Sequence, residues 1–166
     1  MRYPLFLDLS GQPVVVIGAG AVATRKIRTL LASRANVTVI SPDASLLIRR
    51  MALTKRLHWV RRRYRRGDLR GARLAVAATD DLAVNQLVCS EANRRKLLVN
   101  CIAPPAAGTF IVPSQVRCGG ITIAISTGGA SPAFAKQLRR DLERFLGKEY
   151  PQLLKRMSAD RRSRKS

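Results

Sequence analysis

Residues 14–26 read VVVIGAGAVATRK, and this stretch decides the fold. Val14, Val15, Val16 and Ile17 are branched and apolar, and glycine ends the run at Gly18. A strand buried on both faces of a parallel sheet has this composition. The following Gly18-Ala19-Gly20-Ala21-Val22-Ala23 has the spacing G-x-G-x-x-A. That spacing suits a dinucleotide. Gly18 lets the chain turn sharply out of the strand. Gly20 removes the side chain that would hold a pyrophosphate off the backbone, and Ala23 lets the new helix pack close to the sheet. The first-turn N–H groups, at Ala21 and Val22, lack an intrahelical partner and carry partial positive charge, so they attract phosphate. A bare motif of this kind also fits a tight turn with no ligand. The strand before it, the helix after it and the second strand beyond favour the nucleotide.

Outward from this stretch, strands and helices alternate. A helix is expected over 21–32, with Val22, Ala23, Ile27, Leu30 and Leu31 at helical spacing. Arg25 and Lys26 lie one turn into it, on a solvated face or as an attraction for an anionic ligand. A strand over 37–40 leads to Ser41-Pro42-Asp43. An acidic residue here binds the adenosine ribose and favours NAD over NADP. Asp43 stands 25 positions after Gly18, beyond the roughly 20 of the fingerprint, and its other reading is a cap for a helix over 44–53. Strands over 57–60, 74–78 and 97–100 and a helix over 82–93 continue the alternation, which predicts a doubly wound parallel sheet. Thr79-Asp80-Asp81 ends the fourth strand, on the edge where such sheets bind ligands. Thr79 or Asp81 equally suits a helix cap. The basic cluster over 61–66 surrounds one aromatic, Tyr64, with no nucleic-acid module about it. A solvated loop or substrate-facing rim fits it better than an RNA patch.

Beyond the Pro/Ala/Gly loop at 103–108 the pattern changes. Stretches 110–117 and 121–126 are β-like and flank the hairpin signal Gly119-Gly120. Thr127-Gly128-Gly129-Ala130-Ser131-Pro132 opens a helix over 131–146, with Ser131 as N-cap and Pro132 as first residue. A short helix over 150–157 and a polar, basic, disordered tail over 158–166 follow. The expected organisation is a nucleotide-binding domain over 1–110, a hairpin and helix over 111–146, and a short helix with the tail over 147–166.

Composition narrows the function classes. The 31 Lys and Arg residues against 10 Asp and Glu give a net charge of +21. Solvated cationic faces or a polyanionic small molecule account for this more readily than nucleic acid does. The longest apolar runs are only strand length, which excludes a transmembrane helix. Met1-Arg2-Tyr3-Pro4 lacks a signal-peptide pattern. Cys89, Cys101 and Cys118 form no C-x-x-C pair, and their odd number suits reduced thiols in a cytoplasmic protein. Cys89 reads as a small buried hydrophobe. The single histidine, His58, makes no metal site.

Motifs spread over residues 3–146 resemble the precorrin-2 dehydrogenase family, also found as the N-terminal module of siroheme synthase. They are Pro4-Leu5-Phe6 with Asp8-Leu9, the Gly18 to Ala23 fingerprint with Arg25-Lys26, and Val37-Thr38-Val39-Ile40-Ser41-Pro42. Ala77-Ala78-Thr79-Asp80-Asp81 with Asn85, Val99-Asn100, Phe110-Ile111-Val112-Pro113 and Ser126 through Pro132 complete the set. The resemblance implies a Rossmann-like NAD-binding sheet followed by a small hairpin dimerisation region and a C-terminal helix. It implies NAD-dependent oxidation of precorrin-2 to sirohydrochlorin on the route to siroheme, with iron insertion in some members, by a homodimer. Ala21 and Val22 would then lie on the cofactor pyrophosphate, and Pro42 and Asp43 beside its adenosine. Ser126, Thr127 and Gly128 would border the tetrapyrrole, whose carboxylates give the basic surface a partner.

Two departures stand out. The family's V-N-V-V-D run carries its proposed acid/base aspartate, whereas this chain reads Val99-Asn100-Cys101-Ile102-Ala103 and places Ala103 there. Free-standing members also often carry a longer helical C-terminal region than follows Leu146 here. Two other functions stay open on the sequence: a non-catalytic NAD- or tetrapyrrole-binding homologue, and a nucleic-acid binder using the basic tail.

Overall fold

Alternate residues of the first strand point to opposite faces of the sheet, so an all-apolar strand needs cover on both. Our computed structural model, which describes residues 2–147 and 149–163, provides that cover. The chain forms two compact units, one over Pro4–Ile111 and the other joining the first residues, through Tyr3, to the chain from Val112 onward.

In the first unit, β1 (Pro13–Ile17), β2 (Asn36–Ile40), β3 (His58–Val60), β4 (Leu74–Ala77) and β5 (Leu98–Cys101) pair in the order β3-β2-β1-β4-β5. All four pairings are parallel. Helices α1 (Ala21–Ala32) and α2 (Leu46–Leu53) carry the chain outward from β1 to β3, and α3 (Leu82–Arg94) joins β4 to β5. Crossovers of one hand put helices on opposite faces when the winding direction reverses. Accordingly Val14 and Val16 pack with Ala23, Ile27, Ile48 and Met51 in one core. Val15 and Ile17 pack with Val88, Cys89 and Ala92 in the other. The expected doubly wound, Rossmann-like sheet is therefore present, with its switch point between β1 and β4.

Helix ends follow local chemistry. Ser45 caps α2 by accepting from the Ile48 N–H, so that helix begins at Leu46 rather than at residue 44. Asp81 caps α3, its Oδ1 accepting from the N–H groups of Ala83 (2.9 Å) and Val84 (3.1 Å). No glycine follows α1, and the chain leaves through Arg34 at φ +58°. Leu9 is buried, while Tyr3, Leu5 and Phe6 of the lead-in segment are exposed.

In the second unit, β6 (Ser114–Cys118) and β7 (Ile121–Ile125) form an antiparallel hairpin, followed by α4 (Pro132–Leu146) and α5 (Glu149–Ser163). Ser131 Oγ accepts from the Phe134 N–H (3.1 Å) and Pro132 opens the helix, as expected. Residues 110–113 are not strand, contrary to the expectation. β7 ends at Ile125, and the register Ser114↔Ile125 leaves earlier residues without partners. The last helix extends beyond 150–157 and includes 158–163, which were expected to be disordered. The rest of that tail, 164–166, lies outside the described residues.

Gly18 is the residue this arrangement cannot replace. Its φ is +103°, and an added Cβ would stand 2.3 Å from the Ala78 carbonyl oxygen. Gly18→Ala therefore combines backbone strain with a clash against backbone at the end of β4. The expected loss is about 2–4 kcal/mol of folding stability, measured as a shift of the urea midpoint. A stability loss under about 1 kcal/mol would show that β1 and β4 separate easily.

Candidate functional site

The carboxyl ends of β2, β1, β4 and β5 lie side by side, and the loops leaving them carry the nucleotide-site residues expected from the sequence. At the centre, the Gly18 N–H donates to the Ile40 carbonyl (3.0 Å), which ties the β1 turn to the end of β2. Gly20 is the N-cap of α1 with extended backbone and no side-chain cap. The first helical bond runs from the Thr24 N–H to the Gly20 carbonyl (2.9 Å). The N–H groups of Ala21, Val22 and Ala23 precede it and have no intrahelical acceptor. Ala21 and Val22 are exposed, and Ala23 is fully buried against the sheet.

A dinucleotide fits this turn. An added Cβ at Gly20 meets nothing within 4 Å, so open space lies over the helix N-terminus, where backbone donors would face a pyrophosphate. Beyond β2, Pro42 and Asp43 are exposed. Asp43 Oδ1 stands 4.0 Å from Arg49 Nη2, so the expected ribose-binding carboxylate has a cation beside it.

At the end of β4, Thr79 is half-buried and its N–H (3.1 Å) and hydroxyl (2.9 Å) both donate to Asn85 Oδ1. Asn85 is fully buried and returns a bond from Nδ2 to the Thr79 carbonyl (2.9 Å). Thr79 thus shapes the loop, Asp81 caps α3, and Asp80 remains exposed at the tip.

At the end of β5, the Ile102 N–H donates to the Ala77 carbonyl (3.0 Å) and carries the β4–β5 pairing one residue further. Ala103 follows, half-buried, and its carbonyl accepts from the Cys101 thiol (3.3 Å). Lys26 Nζ donates to Asn100 Oδ1 (2.6 Å), and Asn100 Nδ2 donates to the Phe110 carbonyl (3.1 Å). Burial, with Arg25 adding to it, holds the Lys26 ammonium below its usual pKa. The pair ties α1 to β5 three residues before Ala103. Sequence reading did not find this link, because its partners are 74 positions apart. The only local signal was a lysine on an otherwise apolar side of α1.

The basic cluster over 61–66 is partly consumed in building its own loop. Arg62 makes a bidentate pair with Asp68 (2.7 Å for each bond). Tyr64 donates to Glu91 Oε2 (2.5 Å), which also accepts from the Gly67 N–H (3.0 Å), while Arg95 donates to Oε1 (2.9 Å). Burial pushes the Glu91 carboxyl up, but these donors outweigh it and leave it below the usual range. Burial first, and Glu91 second, push the Tyr64 phenol well above its ordinary value. Cys89 is buried, and burial with Cys101 nearby pushes its thiol up to about 12, so it is an inert core residue.

The second unit holds Ser126, Thr127 and Gly128. Ser126 Oγ accepts from the Gly128 N–H (3.2 Å), and Thr127 Oγ1 accepts from the Ser131 N–H (3.2 Å). Gly128 (φ +65°) and Gly129 (φ +97°) take left-handed conformations that these bonds close into a turn. Among the described residues, no group of three or more His, Cys, Asp or Glu side chains converges on a point that could hold a metal ion. Nor is any described helix long and apolar enough to cross a membrane.

Comparison with known proteins agrees with this geometry. Residues 5–114 match a family described as NAD(P)-binding, and residues 119–144 match the sirohaem biosynthesis protein central family. The chain is 32% identical to precorrin-2 dehydrogenase of Bacillus subtilis over 97% of its own length and 99% of that protein. It is 41% identical to siroheme synthase 2 of Aeromonas hydrophila over 86% of its own length, but spans only 30% of that protein. A solved structure of SirC, a precorrin-2 dehydrogenase, superposes with a TM-score of 0.80 at 34% identity, covering 93% of this chain and 76% of that one. The chain belongs to the precorrin-2 dehydrogenase family, which siroheme synthases share as a module.

Gly20 separates binding from stability. Gly20→Ala adds a methyl to open space at a helix N-cap, which changes stability by at most about 1 kcal/mol. The same methyl would stand in the way of a pyrophosphate on this turn, and calorimetric titration with NAD should then show affinity reduced about tenfold or more. Unchanged affinity would place the nucleotide away from this turn.

Proposed function

We propose that this chain is an NAD-dependent precorrin-2 dehydrogenase on the route to siroheme, slowed by the alanine at position 103. The observation that carries the reading is the β1–α1 turn, with Gly20 open and Gly18 closed against β4, in a chain related to such an enzyme along nearly its whole length. When bound, NAD supplies the hydride acceptor. The N–H groups of Ala21 and Val22 hold its pyrophosphate, Pro42 and Asp43 flank its adenosine, and Thr79 and Asp80 border it at the end of β4. Ser126, Thr127 and Gly128 border the tetrapyrrole. The net charge of +21 draws a polycarboxylate substrate toward the protein.

Oxidation removes a hydride and a proton from precorrin-2. The hydride passes to the nicotinamide, and the proton needs a base. The methyl side chain of Ala103 has no lone pair to accept it. Asp81 is committed to its cap, so Asp80, exposed at the end of the neighbouring strand, is the nearby carboxylate left to serve. Positioning of the reacting carbon against the nicotinamide does not depend on that base, so slow turnover is expected rather than none. A well-placed base contributes roughly 10²–10⁴-fold. Ala103→Asp should therefore raise kcat by about 10²-fold or more and leave NAD affinity within about twofold. The assay is NADH appearance from precorrin-2 with both proteins side by side. No NADH from either protein would favour the second reading, a tetrapyrrole-binding homologue without chemistry, which Ala103 alone recommends. A fast wild type with no gain in the variant would remove position 103 from the mechanism.

The active form proposed is a homodimer formed through residues 111–146. Among the described residues of the second unit, Val116, Ile125, Ala135 and Leu146 form the buried cluster, while Phe134, Phe145 and Leu153 are exposed. So small a core is marginal alone. Light scattering at micromolar protein should give twice the chain mass, and a monomer mass would refute the dimer.

A further inference from the structure

Asp43 is expected to repel a 2′-phosphate, yet it does not stand alone. Arg49, one turn into α2, lies 4.0 Å from its carboxylate and anchors Nε on the Ala44 carbonyl (2.8 Å). The guanidinium of Arg49 also lies 5.8 Å from the centre of the Trp59 ring, and that of Arg61 lies 5.9 Å from the same ring. Trp59 is itself pinned, donating from Nε1 to the Ser41 carbonyl (3.0 Å). The Ser41 N–H in turn donates to the Val60 carbonyl (3.3 Å), which locks the ends of β2 and β3 together. Two guanidiniums are thus arranged on one fixed aromatic platform beside Ser41-Pro42-Asp43.

From this we infer that the end of β2 is a phosphate-monoester subsite, and that the chain accepts the 2′-phosphorylated dinucleotide NADP as well as NAD. The inference rests on the cofactor reading above and deepens it. In doubly wound sheets the adenosine ribose lies at this strand end. A carboxylate there takes the 2′-hydroxyl, and an arginine nearby takes a 2′-phosphate. This chain carries both. The Asp43–Arg49 pair is long, and its side chains are 83% and 46% exposed, so little holds Arg49 to Asp43. Two oxygens of a phosphate dianion accept together from the planar guanidinium fork, which the carboxylate 4.0 Å away does not. Ring contact keeps both arginine heads near the site, which lowers the entropy lost on closing around the phosphate. With NAD bound, Asp43 is free to meet the 2′-hydroxyl and Arg49 stays on Trp59.

The test is calorimetric titration of the wild-type chain, Arg49→Ala, Arg49→Lys, Arg61→Ala and Asp43→Asn with NAD and with NADP at one salt concentration. Wild type should bind NADP within about tenfold of NAD. Arg49→Ala and Arg61→Ala should each weaken NADP about fivefold or more while leaving NAD within about twofold. Asp43→Asn should tighten NADP, and Arg49→Lys should recover only part of the loss in Arg49→Ala, because lysine lacks the fork. NADP binding more than about tenfold weaker than NAD, or NADP affinity indifferent to both arginines, overturns the subsite and leaves the NAD reading intact. Failure of both nucleotides to bind overturns the NAD reading and this inference with it.

Discussion

The close approach of the β1–α1 turn to the end of β4 is the constraint on which the rest depends. Gly18 lies so near the Ala78 carbonyl that no side chain fits between them. The contact lets β1 pair with β4 up to Ile17↔Ala77 while the backbone turns out of the sheet in the same step. It sets the start of α1 at the switch point, with unsatisfied N–H groups facing outward over Gly20. The Ile40 carbonyl receives the Gly18 N–H, so the β2 end, and with it Asp43, is placed by the same residue. One backbone crossing therefore positions both the start of α1 and the end of β2.

Much of this was legible because the signals are local. Four branched apolar residues, glycine spacing and a helical apolar stripe lie within twenty positions, and α1 occurs over the expected span. The Ser131-Pro132 start of α4 is equally local, since one side chain satisfies an N–H three residues on. The paired strand beginning only at Ser114 was not legible. Phe110, Ile111 and Val112 have strand-like side chains, but pairing is decided by the partner strand and by the two-residue turn, which exhausts β7 at Ile125. Propensity yields to register in such a case.

The site was legible in part for the same reason. Residues on the loops after β1, β2 and β4 follow from the rule that ligands bind at the carboxyl edge of a doubly wound sheet. Interactions that tune the site join distant segments. Lys26 meets Asn100 across 74 positions, Trp59 meets Ser41 across 18, and Tyr64 meets Glu91 across 27. No periodicity announces them. The basic cluster is the instructive example: read as a charge run it suggests a polyanion, whereas Arg62 and Tyr64 are structural members of their loop. The charge that remains for a ligand is better sought around Trp59.

The central claim is that the α1 N-terminus and the loop after β2 together hold a nicotinamide dinucleotide. A crystal structure of the chain grown with NAD tests it most directly. The account predicts pyrophosphate oxygens about 2.7–3.2 Å from the N–H groups of Ala21 and Val22, over Gly20, with the adenosine ribose beside Asp43. A nucleotide bound elsewhere, or a pyrophosphate that does not touch the first turn of α1, would contradict it.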